Sequence, residues 1–145
     1  MQYRSEIDGL RAIAIIPVIL FHGNLLGVSG GYVGVDVFFV ISGFLISSII
    51  IEEIQGKSFS IISFYERRIR RILPALTLVL ISTTLLAFLF FSEDQFKEYS
   101  QSLLYTTLFL SNIYFLLTDD YFSPEAEQLP LLHTWSLSVE EQFYI

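Results

Sequence analysis

ILPALTLVLISTTLLAFLFF, residues Ile72 to Phe91, contains no charged side chain and decides what kind of solvent this chain is built for. A helix rises about 1.5 Å per residue, so it takes about 20 mainly apolar residues to cross the hydrocarbon core of a bilayer. Tyr32 to Ile51 is equally long and holds one acid, Asp36, close to an end where a carboxylate reaches the headgroups. Leu10 to Val28 is apolar except for Arg11, His22 and Asn24, and Pro17 removes one helical hydrogen bond within it. Gly27, Gly30, Gly31 and Gly34 then supply a turn, so the first two spans are expected to form a tight antiparallel hairpin. Leu103 to Leu117 is shorter, carries Thr106, Thr107, Ser111 and Asn112, and is read as a fourth segment that crosses or dips into the bundle. Trp135 to Ile145 opens a further helix, with Ser138-Val-Glu-Glu141 as a capping box near its start. The expected fold class is all-α: a polytopic transmembrane helix bundle, incomplete, with about four spans plus the start of a fifth.

Composition agrees with that reading and limits the alternatives. Of the 145 residues 53% are hydrophobic and only 16% charged, against about a quarter charged in a soluble domain. The apolar residues come in blocks, not at a period of two or 3.6, so a large soluble core does not account for them. The net charge of -7 arises mainly from acids around residues 92–98 and 119–127, while the basic residues cluster elsewhere. With no cysteine, disulfides, thiolate metal sites and thiol catalysis are excluded. Residues 1–11 carry two acids and two arginines and no Ala-x-Ala motif follows, so no removable signal peptide is expected.

Lysine and arginine counts in short loops set orientation. The stretch Glu52 to Arg71 holds Lys57, Arg67, Arg68, Arg70 and Arg71, and is assigned to the cytoplasm together with the N-terminus bearing Arg4 and Arg11. The glycine turn and the Ser92 to Ser100 loop then face outward, and the side taken by Asp119 to Gln128 depends on whether Leu103 to Leu117 crosses. The basic run is short and abuts lipid, so no nucleic-acid partner is expected.

Ionisable groups at membrane depth are costly and normally face a bundle interior or a wet cavity. Arg11 and His22 are eleven residues apart, which on a straight helix returns to nearly the same face about 16 Å further along. Histidine suits proton transfer because its ordinary pKa lies near neutrality. The competing account has Arg11 reaching the headgroups and His22 bonding a carbonyl. The run Arg67-Arg68-Ile69-Arg70-Arg71 follows Ser63-Phe-Tyr-Glu66, a capping box expected to start a short helix just before Pro74. Its guanidinium groups could bind phosphates in pairs, or simply fix topology and hold anionic lipid. Asp36, Gly43 and Ser47 form a small polar stripe that helix packing explains equally well. In HTWSLSVEEQFY, Trp135 and Tyr144 read as interfacial anchors, and Glu140 is expected to face inward.

Four stretches occur together: Arg11 and His22 with ten residues between them, GYVGVDVFFVISGFLIS from Gly31 to Ser47, RRIRRILP from Arg67 to Pro74, and HTWSLSVEEQFY from His133 to Tyr144. In this order they resemble the acyltransferase-3 family of bacterial membrane O-acyltransferases, the group that includes O-antigen acetylases, over nearly the whole chain. The resemblance implies transfer of an acyl group, expected to be acetyl, from acyl-CoA to a hydroxyl of a cell-surface or exported carbohydrate. It assigns acyl transfer to His22, placement of the donor or the histidine to Arg11, and coenzyme A contact to Arg67, Arg68, Arg70 and Arg71; the inward-facing Glu140 is the third catalytic candidate. Asp36, Ser42 and His133 are further candidates. Acetyl-CoA or another acyl-CoA is the implied donor, with no metal, and the location is the bacterial inner membrane with a cytoplasmic N-terminus. Family members resemble bundles of about ten spans, so residues 1–145 are expected to be the N-terminal part of the acyltransferase domain, completed by the remaining helices or a partner chain. A transporter or proton-relay subunit, in which Arg11, His22 and Asp36 line a pathway, is the alternative, as is a non-catalytic fragment.

Overall fold

The computed structural model describes residues 5–23, 25, 30–118 and 129–144, and within these the regular structure is helical. The elements are α1 (Ser5–His22), α2 (Val33–Gln55), α3 (Ile61–Phe90), α4 (Glu93–Thr107), α5 (Ser111–Thr118) and α6 (Thr134–Phe143). They fall into two compact units, residues 1–64 and 65–145. Arg4, Asn24, Gly27, Val28 and the acidic stretch 119–128 lie outside the described residues.

In the first unit α1 and α2 pack as the expected hairpin. Their approach is set by two glycines: a Cβ on Gly31 would overlap the Pro17 carbonyl, and one on Gly34 would overlap the Ala14 carbonyl. Small residues let helix backbones come this close, which matters in lipid because apolar side chains gain little by leaving acyl tails for one another. Gly30 makes the turn at φ 82°, a conformation glycine adopts without steric cost.

Among the described residues two helices are long and apolar enough to cross a membrane, α2 and α3, each with a mean hydropathy of 2.3 over an 18-residue window of which 11% is buried. A soluble core helix of that hydropathy would be mostly covered. Phe88, Leu89 and Phe90 are 75%, 69% and 76% exposed. The 18-residue α1 is set apart from them by Glu6, Asp8 and Arg11 in its first two turns.

Three local expectations are corrected. The basic run does not lie in a loop or on a short helix ending before Pro74: α3 starts at Ile61 and runs unbroken through Pro74 for 30 residues. Ser60, not Ser63, supplies the oxygen at its start, accepting from the Ser63 N–H at 3.4 Å. A proline removes a single donor, that to the carbonyl four residues back, and membrane helices tolerate this. Leu103 to Leu117 is likewise not one helix but the end of α4, a turn, and the eight-residue α5.

The turn is a Schellman closure, with Leu110 N donating to Tyr105 O at 2.8 Å, Phe109 N to Thr106 O at 3.1 Å, and Phe109 itself at φ 55°. The same pattern ends α2 at Lys57, φ 53°. Neither position has the usual glycine. At Phe109 the strained conformation is held from outside, because Gln142 Nε2 donates to its carbonyl at 2.8 Å.

The third correction concerns Ser138, which is not a cap. It lies inside α6, 1% exposed, with its hydroxyl 2.7 Å from that of Ser111. It also accepts from the Ser111 N–H at 3.3 Å, so it caps the neighbouring helix α5 instead. Thr106 pairs with Thr134 at 3.1 Å, and Asn112 and Gln142 exchange amide bonds at 2.8 and 2.9 Å. These bonds join α4, α5 and α6. Tyr99, 1% exposed, ties α4 to α3 through Thr83 and Thr84 at 3.0 and 2.7 Å. The start of α4 carries a capping box between Ser92 and Gln95.

Candidate active site

The candidate residues fall in both units. In the first, Arg11 lies one turn before Ala14, where Gly34 meets α1: its guanidinium carbon stands 5.1 Å from the centre of the Phe38 ring, and it forms a 3.9 Å ion pair with Asp8 one turn back. A cation over an aromatic face is worth about 0.5–2 kcal/mol, more as water is excluded. Arg11 is thus half-buried and oriented by two neighbours, so the chain does not leave it to reach for headgroups alone.

His22 ends α1. By helical arithmetic it lies about 20° round the axis from Arg11, on the same flank of the α1–α2 seam. Its Nδ1 is 2.9 Å from the Val18 carbonyl, and its ring meets Phe21 edge-on at 5.2 Å. A carbonyl only accepts, so Nδ1 carries the hydrogen and the basic lone pair of the neutral ring is on Nε2. The carbonyl bond expected of a structural histidine therefore does not compete with proton transfer: it selects the tautomer and fixes the ring. The side chain is exposed. Asp36 is exposed in the first turn of α2, where a carboxylate suits the helix dipole. Ser42 is buried at 5% exposure on the same helix, as a packing residue would be.

In the second unit the basic run divides. Arg67, Arg70 and Arg71 are exposed, and Arg70 pairs with Glu66 one turn earlier at 2.8 Å, an exposed pair that screening leaves weak. Arg68 turns inward. Its side chain is 10% exposed and faces Glu140 and Glu141 of α6, at 17% and 16%. Nη2 and Nε both donate to Glu141, Nε at 3.2 Å, and Nη2 lies 3.5 Å from Glu140. The guanidinium is stacked over Tyr144, 4.3 Å from the ring centre, and Tyr65 donates its hydroxyl proton to the Tyr144 carbonyl at 2.8 Å. Burial, aided by Glu140 and partly opposed by Arg68, raises the Tyr144 phenol above its ordinary pKa, so the ring stays neutral.

Glu140 thus faces inward as expected, but onto an arginine, and its neighbour Glu141 is the tighter partner. His133 stands exposed at the N-cap of α6 and makes no side-chain cap there. Among the described residues no group of three or more His, Asp or Glu side chains could hold a metal ion.

Sequence reading missed Phe38, Glu141, Tyr65 and Tyr144 as the residues that orient the two arginines. The paired acids in VEEQ were the available signal, since two adjacent carboxylates entering an apolar segment need a cation.

The sequence motifs agree with what comparison with known proteins finds. A family model described as an acyltransferase domain matches residues 4–145, so the chain belongs to the acyltransferase-3 family. Among its relatives is O-acetyltransferase OatA of Staphylococcus aureus strain NCTC 8325, 39% identical over 99% of this chain. The protein of the same name from strain COL matches equally well. The chain spans about a quarter of the length of these relatives, 24% in each case. No solved structure matches it.

Proposed function

We propose that this chain serves in the transfer of an acetyl or other short acyl group from acyl-CoA to a hydroxyl of an envelope carbohydrate. Membership of the acyltransferase family, and relatives named O-acetyltransferase, support transfer to oxygen. The observation that carries the site assignment is the α1–α2 hairpin, which presents a ring with a defined tautomer and, on the same flank, an arginine held over Phe38. In this reading Nε2 of His22 takes the proton of the attacking hydroxyl, and Arg11, about 16 Å away along α1, offers positive charge to the donor. Exposed arginines of α3 meet the donor phosphates, for which guanidinium geometry is suited.

The same reading puts α1, α2 and α3 across the bacterial inner membrane, with the N-terminus and the basic turn of α3 on the cytoplasmic side where acyl-CoA is available. Two features favour it: the apolar exposure of α2 and α3, and the density of arginine at one end of α3. Further helices, supplied by the rest of the protein or by a partner chain, complete the bundle and cover polar faces such as that of His22.

The test is genetic. A strain lacking the enzyme is complemented with the protein at its native length carrying His22→Ala, and glycan O-acetylation is measured by release of acetate. We expect acetylation to fall by at least about 10²-fold, the usual scale for loss of a general base. Wild-type acetylation would remove His22 from the chemistry.

A further inference from the structure

We propose that Glu141 is a positioning residue of the acyltransferase, and that it withdraws Arg68 from the donor-binding set by locking it between α3 and α6. The inference rests on the acyl-CoA reading above and deepens it by dividing the arginines of the basic run between two tasks.

An arginine recognises a phosphate through two parallel N–H groups on one edge of its guanidinium. On Arg68 the edge formed by Nε and Nη2 is already used, both atoms donating to Glu141. One face of the plane is covered by Tyr144. A phosphate approaching what remains would meet two carboxylates against one guanidinium, a local excess of negative charge. Charge and geometry both turn it away. The neighbours on α3 differ: Arg71 is exposed, three residues on and about 60° round the helix from Arg68.

The lock has a second point of attachment, since Tyr65 bonds the backbone carbonyl of Tyr144 one turn before Arg68 on α3. Two ties, three residues apart on α3 and both ending near the C-terminal end of α6, fix the rotation of α3 as well as its distance. With that rotation fixed, the flank bearing Arg71 stays turned away from the glutamates. Glu141 therefore sets how the bound donor is presented for transfer, through α3 and without touching it.

The test uses the protein at native length in membranes, at matched expression, with kcat and the donor KM measured for acetyl-CoA. The variants are Arg68→Gln, Glu141→Gln, both together, and Arg71→Gln. Glu141→Gln and Arg68→Gln should lower kcat by a similar factor, about tenfold, with the donor KM within about twofold, and the double variant should be no worse than either. Arg71→Gln should raise the donor KM by about tenfold. If Arg68→Gln raises KM as Arg71→Gln does while Glu141→Gln leaves both constants alone, Arg68 is a donor ligand and the proposal is overturned.

Should a single variant fail to accumulate, the exchanged pair Arg68→Glu with Glu141→Arg decides. Recovered accumulation upholds the lock, and none overturns it. Wild-type membranes that use no acyl-CoA would sink the donor reading alone. The Arg68–Glu141 coupling would then still be read from thermal midpoints in detergent, where additive losses would refute it.

Discussion

The hairpin of α1 and α2 and the cluster of α4, α5 and α6 solve one problem in opposite ways. Both must hold helices together around few buried apolar side chains. The hairpin does it by shape: Gly31 and Gly34 admit the backbone of α1 to contact, and no polar side chain is needed at the closest point. The cluster does it by polarity, with serine, threonine, asparagine and glutamine pairs bridging every helix, each pair satisfied. Interhelical hydrogen bonds between membrane helices average about 0.6 kcal/mol each, so the polar device is weak per contact. What differs is how each fails. A shape seam fails on added volume, a polar seam on a single lost partner.

Four substitutions would sharpen or break that contrast, read as unfolding free energy in detergent. Arg68→Ala leaves Glu140 and Glu141 half-buried without their cation and should have the largest effect, about 3–5 kcal/mol. A loss under about 1 kcal/mol would mean that water already screens the cluster. Gly34→Val inserts atoms where the Ala14 carbonyl and Val18 lie, and should cost about 2–3 kcal/mol or separate the helices. Site-directed crosslinking between α1 and α2 reports which, and an unchanged pattern with unchanged stability would show that the seam is slack.

Ser138→Ala removes the partner of the Ser111 hydroxyl and N–H, for an expected loss of about 1–2 kcal/mol. Equal loss on Ser138→Thr would point to crowding instead of hydrogen bonding as the cause. The smallest change runs the other way. Lys57→Gly relieves a left-handed residue at the end of α2 and should gain about 0.5 kcal/mol, since glycine adopts that conformation freely. A loss would show that the lysine side chain has a role of its own there.

The shape-based half of the molecule was legible in the sequence, and the polar half largely was not. Length and hydropathy suffice to find α2 and the apolar part of α3, and a glycine-rich turn between apolar runs announces a hairpin. Serine and threonine in an apolar helix are ambiguous: Ser48 and Thr118 spend their hydroxyls on their own helix, four residues back, while Ser111 and Ser138 spend theirs on each other. Nothing local distinguishes the two cases. Ser138 therefore read as a cap, and Leu103 to Leu117 as one segment, because the glutamine that holds the break at Phe109 lies 33 residues away.

Candidate site residues show the same division. Arg11 and His22 stand out because helical periodicity relates them, whereas the fate of Arg68 depends on a carboxylate 73 positions further on. The capping box SEDQ before α4 was available in the sequence and went unread.

Pro74 interrupts α3 without ending it. Having no amide proton, it leaves the main-chain oxygen of Arg70 without its helical donor, two residues after Arg68 and just before the long apolar stretch. The helix is most compliant at that turn. A bend there would let the charged end of α3, tied to α6, change its angle to the apolar end without breaking the ties.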